Sequence, residues 1–220
     1  MCAETPHTHV TSSRFRSPTS WWVRGYRVAF AVLASVGLVV VLAESIGAGR
    51  STVDYLSYFT IQSNLIAVGV FLLGALRPEA RPGASRRDVI RGAPVLYLAV
   101  TGIVIATLLA GVPVVVNAFA NAVLHQVMPL VVVADWLIDP PGADLGFRRA
   151  IAWLLYPLAW LVYTMIRGAV VGWYPYPFLD PGVMGGYGNV AATVLVIVAG
   201  GLVLIWLIAW MGRRARRAMG

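Results

Sequence analysis

Six apolar runs divide this chain, at about 26–47, 55–76, 95–112, 116–138, 150–172 and 190–211, and each is near the roughly 20 residues that cross the hydrocarbon core of a bilayer. With 59% hydrophobic and 12% charged residues, too little polar surface remains to coat a soluble domain. The expected fold is all-α, a polytopic membrane protein with six transmembrane helices. Around that helical domain, 26–211, we expect a disordered polar tail over 1–25 and a short basic tail over 212–220. The third run is the shortest. It ends at Gly111, Val112 and Pro113, which predicts a tight hairpin into the fourth.

Charge sets the expected orientation. All seventeen basic residues are arginine, and fifteen fall on one side of the predicted membrane: before the first run, in the second loop, after the fourth run and after the sixth. Only Arg50 and Arg167 fall on the other. Positive residues are retained on the cytoplasmic side, so both termini are expected there, in a multi-pass protein of the cell membrane. The formal net charge of +8 then follows from topology and implies no nucleic-acid partner. The basic cytoplasmic segments, RRARR above all, could also attract anionic lipid head groups.

Several chemistries have little support. Cys2 is the only cysteine, which excludes an intrachain disulfide or a cysteine-based zinc site. His7 and His9 make a poor metal site in a polar tail, and a haem or metal centre needs more ligands than the one histidine of the apolar runs. No phosphate loop, dinucleotide fingerprint or internal repeat is visible, so no cofactor is expected. The first run is longer than a signal-peptide core and is read as a retained anchor. Transport is disfavoured, because no repeat and no second ionisable residue near the midplane accompany that histidine.

That histidine is His125, in NAFANAVLHQVMPLVVVADWLI. An ionisable group in a membrane helix is costly and marks a functional candidate. Asn117 and Asn121 precede it by eight and four residues, which predicts one shared polar face. Pro129 has no N–H for the carbonyl of residue 125 and predicts a bend there.

A second polar cluster, YLSYFTIQSN, opens the second run; Ser57, Thr60 and Asn64 fall on one helical face, with Gln62 and Ser63 beside it. Such residues also serve as helix-packing contacts or bond back to the preceding turn. Thr60 and His125 lie about 8 Å and 13 Å below the outer face by helical rise. A hydroxyl and an imidazole in the same half of the membrane can work as nucleophile and base, with Asn64, Gln62 or Asn121 as oxyanion donor. Glu44 and Asp54 are the nearest carboxylates that could orient the histidine. Above them, GWYPYPFLDP carries Trp173, Tyr174, Tyr176 and Phe178 among prolines, either an aromatic belt or a stiff lid over the site. Arg167, just below it, either snorkels outward or holds an anionic group.

YFTIQSN, LHQVMPLVVVADWL and WYPYPFLDP together resemble a bacterial six-pass family described as Pr-six-Pr. More distantly they resemble the animal androgen-induced and ADTRP membrane proteins, intramembrane threonine hydrolases that cleave fatty acid esters of hydroxy fatty acids. The resemblance covers all six runs in order. It implies that Thr60 is the nucleophile, that His125 is the essential histidine, and that Tyr176 and Phe178 belong to a shared YPFL segment. A membrane lipid or lipid-like ester is then the expected substrate. The alternative is a non-catalytic membrane protein, a transporter, sensor or scaffold whose polar residues hold helices together.

Overall fold

The computed structural model describes residues 20–76, 86–111, 117–142 and 144–218, and all their regular structure is helical. The expected tail over 1–19 and the turn over 112–116 lie outside the described residues. Helix α1 spans Trp21–Gly47, α2 Thr52–Ser57, α3 Phe59–Leu76 and α4 Arg86–Thr107. The fourth span is built from α5 (Ala118–Ala122), a π turn (Val123–Val127) and α6 (Met128–Ile138). The fifth joins α7 (Gly146–Ala150), a 3-10 turn (Ile151–Leu154) and α8 (Leu155–Val171). A 3-10 turn (Pro177–Leu179) and α9 (Pro181–Met184) lead to α10 (Tyr187–Ala218). Six helices are thus long and apolar enough to cross a membrane, as their sequence implies. We call the side where α1 begins and α10 ends the terminal face, and the other the opposite face.

Hydropathy measures where apolar residues stop, and helices stop elsewhere. The α1 helix begins at Trp21, inside the expected tail, and α10 runs through Arg213–Arg217 to Ala218 instead of ending before a basic tail. The third span is not the shortest: α4 starts at Arg86, because RRDVIR is polar yet helix-compatible, and α3 with 18 residues is shorter. The second run is broken. Tyr58 adopts an extended conformation, ψ 126°, separating α2 from α3. Ser57 therefore leaves the face of Thr60 and Asn64, and its hydroxyl donates to the Val53 carbonyl at 2.7 Å.

The central helices are α1, α3, α4 and the fourth span. Of the most apolar window of α3, 44% is buried, against 11% for the fifth span, so α3 is interior and α8 peripheral. Unlike the central helices, α8 brings its backbone close mainly to the turn that precedes it. Polar tips of aromatic side chains tie it inward instead: Trp160 donates to the Ser57 carbonyl at 2.9 Å, Tyr163 meets the Ser57 hydroxyl at 3.0 Å, and Tyr156 donates to Gln62. Large apolar side chains face outward from α8 and α10, Val170 and Val196 among them, as a lipid solvent permits.

Two glycines set close approaches. A Cβ at Gly92 would fall 2.0 Å from Trp153 Cζ2, so α4 and the fifth span meet only because no side chain intervenes. At Gly168 a Cβ would fall 2.1 Å from Tyr174 Cε1, which lets the segment after α8 fold back onto it. Gly172 closes α8 at φ 70°, a left-handed conformation glycine adopts without strain.

Candidate functional site

Near the opposite face, α3, α4, α8 and α10 line a partly open cavity of about 110 Å³ with walls that are almost wholly apolar. Its wall on α4 runs from Leu96 to Ile105, roughly 14 Å at the helical rise. That narrow shape and apolar lining suit part of a single hydrocarbon chain. Its polar points are few. Thr60 is one, buried in the first turn of α3.

The break at Tyr58 explains why Thr60 stands there. Opening a helix at Phe59 leaves the first-turn N–H groups of α3 without intrahelical acceptors. Tyr176 fills this gap: its hydroxyl oxygen accepts the Thr60 N–H at 3.3 Å and lies 3.3 Å from Thr60 Oγ1. Tyr176 is itself buried, stacked on Phe178 at 5.2 Å and edge-on to Tyr58 at 5.7 Å, while Trp160 lies 6.0 Å away. Burial pushes the Tyr176 phenol up from its ordinary value, an effect that its bonds to Thr60 only partly oppose. It is therefore a neutral donor and acceptor at ordinary pH, not a base.

His125 sits in the π turn. There the Met128 N–H bonds the Val123 carbonyl, one residue earlier than in an α-helix, and the next residue in register is Pro129. In this register the carbonyl facing Pro129 is that of Leu124, which therefore has no backbone donor from that residue. Asn64 supplies the missing donor: its amide reaches the Thr60 carbonyl at 2.9 Å and the Leu124 carbonyl at 3.3 Å. One side chain joins the turn bearing Thr60 to the turn bearing His125. Because α3 and the fourth span run in the same direction, setting Asn64 beside Leu124 leaves Thr60 about 7 Å shallower than His125.

The half-buried His125 ring places Nδ1 3.2 Å from the Asn121 carbonyl. A carbonyl can only accept, so this contact selects the tautomer with the proton on Nδ1 and leaves Nε2 as the basic nitrogen. No carboxylate orients the ring among the described residues. Glu44 accepts the Asn117 N–H at 3.0 Å, and Asp54 pairs with Arg167. Asn117 is the N-cap of α5, its side chain accepting from Phe119 and Ala120, so it leaves the polar face shared by Asn121 and His125.

Of the residues singled out in the sequence, Thr60, Tyr176 and Phe178 line the cavity, and His125, Asn64, Asn121, Gln62 and Arg167 do not. Gln62 donates to the Leu56 carbonyl at 2.6 Å and accepts from Tyr156. The Asn121 side-chain oxygen is buried without a protein partner, as are Ser63 Oγ and Asn64 Oδ1. Arg167 is engaged twice, by Asp54 and by the Trp173 ring 5.1 Å from its guanidinium carbon.

Two features escaped the sequence reading. Thr101 lines the cavity, is buried, and has a hydroxyl without a protein partner. At the terminal face, Arg27 Nε meets Asp135 at 2.6 Å and its Nη2 meets Asp139 at 2.8 Å, while Arg91 reaches Asp135 at 3.0 Å and Asp139 at 3.4 Å. Arg27 and Arg91 had counted only as topological charge. The visible signal was Asp135, a carboxylate inside the fourth apolar run, with Asp139 one turn on. Among the described residues no group of three metal-ligating side chains assembles.

Comparison with family models, with curated proteins and with solved structures finds no match to this chain.

Proposed function

We propose that this integral membrane protein hydrolyses fatty acyl esters, with the acyl chain in the apolar cavity, Thr60 as nucleophile and His125 as base. The reading places it with the six-pass Pr-six-Pr proteins and the intramembrane threonine hydrolases it resembles. The observation that carries it is the buried Thr60 hydroxyl on an almost wholly apolar wall, beside N–H groups of the first turn of α3. An ester carbonyl at that point meets a nucleophile and a backbone donor together.

In the proposed cycle Thr60 Oγ1 bonds to the carbonyl carbon and passes its proton to His125 Nε2. The tetrahedral oxyanion, held by the Thr60 N–H in place of Tyr176, collapses to an acyl-threonine. The alcohol leaves with the proton from His125. Water, deprotonated by the same imidazole, then attacks the acyl carbon, and the fatty acid departs as Thr60 recovers its proton. Substrate entry has to release Thr60 from Tyr176 and close the gap to His125.

One observation favours a non-catalytic apolar-ligand protein instead: the Thr60 hydroxyl faces Tyr176, and His125 stands off the cavity wall. Hydrolysis of a fluorogenic acyl ester and labelling by a fluorophosphonate separate the two. Thr60→Ala and His125→Ala should each lower hydrolysis by at least roughly a thousandfold, and the double variant should be no worse, since the two act as a unit. Hydrolysis retained by Thr60→Ala at normal expression removes the nucleophile. Uptake of a fluorescent fatty acid without turnover by the unmodified protein supports the second reading.

We also propose cytoplasmic termini, which put the cavity in the outer half of the cell membrane. The support is the fifteen-to-two division of arginines. A periplasm-active reporter should work when fused at residue 182 and fail at residue 82; the reverse pattern inverts the orientation.

A further inference from the structure

The last turns of α10 carry four arginines that do not share a face. Trp210, Met211, Arg214, Ala215, Arg217 and Ala218 follow one another at helical spacing, and with Leu137 of α6 they line a groove at the terminal face. Arg213 leaves this face and meets Asp144 of the preceding connection at 3.4 Å. Arg214 and Arg217 are exposed and have no carboxylate partner among the described residues, and the Arg214 guanidinium carbon lies 5.3 Å from the Trp210 ring centre. Stacking on an indole holds a guanidinium while leaving its edge N–H groups free to donate. The groove floor is apolar, formed by Leu137 and Met211, and its outer rim is cationic.

An apolar floor that continues a lipid-facing helix, below two unpaired guanidiniums three residues apart, has the chemistry of a phospholipid turned head outward. Arginine binds phosphate oxygens through its fork of donors. The helix C-terminus carries partial negative charge and by itself repels an anion, so the site depends on both arginines. We propose that this groove binds one anionic phospholipid, its phosphate between Arg214 and Arg217 and an acyl chain over Leu137 and Met211. This inference is independent of the chemistry at Thr60.

Charge alone predicts attraction of anionic lipid by any of these arginines, and the groove predicts attraction by two of them. The test compares the full-length protein, R214Q/R217Q and R213Q/R216Q in detergent micelles, titrated with fluorescent phosphatidylglycerol or phosphatidylcholine, with and without inorganic phosphate as competitor. The two double variants lose equal charge. R214Q/R217Q should weaken phosphatidylglycerol binding roughly thirtyfold, and R213Q/R216Q no more than about twofold. Phosphatidylcholine should bind all three weakly, and phosphate should compete poorly because it lacks the chain. Unchanged thermal unfolding in phosphatidylcholine micelles verifies that each variant is folded. Equal weakening by the two pairs reduces the effect to bulk charge and overturns the site. So does phosphatidylglycerol binding that neither pair changes, or competition by phosphate as strong as by lipid.

Discussion

The two ends of the helix bundle solve the burial of polar groups in opposite ways. At the terminal face Arg27, Arg91, Asp135 and Asp139 are paired across three spans, Arg24 caps the Ala75 carbonyl at 2.8 Å, and Trp153 sits where Gly92 leaves room for it. At the opposite face Thr101 has no partner, Asn121 and Asn64 each leave an oxygen bare, and α8 stands off behind a cavity. Buried polar groups left unpaired in a medium without water cost free energy. Most of the unpartnered buried atoms gather towards the end that holds the cavity, although Arg91 Nε at the terminal face also lacks a partner. Of them, Thr101 lines the cavity itself, where a ligand has something to supply. The paired end, which ties α1, α4 and the fourth span together, is the anchor of the bundle.

The sharpest way to break this contrast is to remove one partner from the anchor. Asp135→Ala leaves two buried guanidiniums short of an acceptor and should cost about 3–5 kcal/mol, read as a large drop in thermal midpoint in detergent. Thr60→Ala should leave that midpoint nearly unchanged. If the two variants unfold alike, the anchor is no more important to stability than the site.

The same substitution at both ends sharpens the comparison. Gly92→Ala forces a methyl into the Trp153 ring between packed helices and should cost roughly 1–3 kcal/mol. Gly168→Ala pushes on Tyr174, whose segment can shift, so its thermal cost should be smaller. Its main effect should be on affinity for a fluorescent fatty acid, because displacing that segment moves Tyr176 off Thr60. Equal thermal costs would mean the segment after α8 is packed as firmly as the anchor.

The smallest expected effect comes from Thr101→Val, which replaces an unpartnered buried hydroxyl with a methyl of similar volume. The empty protein should be unchanged or more stable by up to about 1 kcal/mol, measured by thermal unfolding in detergent without added lipid. A loss of more than that would mean the hydroxyl has a partner, such as a bound water, that makes it structural.

How much of this was legible in the residues differs between spans and site. The six spans were readable because an apolar run of bilayer length has few other fates, whereas their ends were not: Trp21–Gly25 and Arg213–Ala218 are helical although polar residues break the hydropathy there. Thr60 and His125 stood out as polar residues in apolar runs. Their mutual placement did not, since it depends on the extended Tyr58 and on the π turn that hands the Leu124 carbonyl to Asn64. Thr101 looked like any small residue in a helix until the cavity beside it was visible.

Transfer from water to lipid is a sum over single residues, so the sequence by itself determined that the chain is a six-span helical membrane protein. It also determined which few polar side chains would need partners inside it. Which partner each one finds is a property of pairs of helices, set by close approaches such as that of Trp153 to Gly92 and by one-residue shifts of register. Only the tertiary structure decided that Arg27 and Arg91 pair with Asp135 and Asp139, that Thr60 borders a cavity, and that Arg214 and Arg217 meet no carboxylate among the described residues.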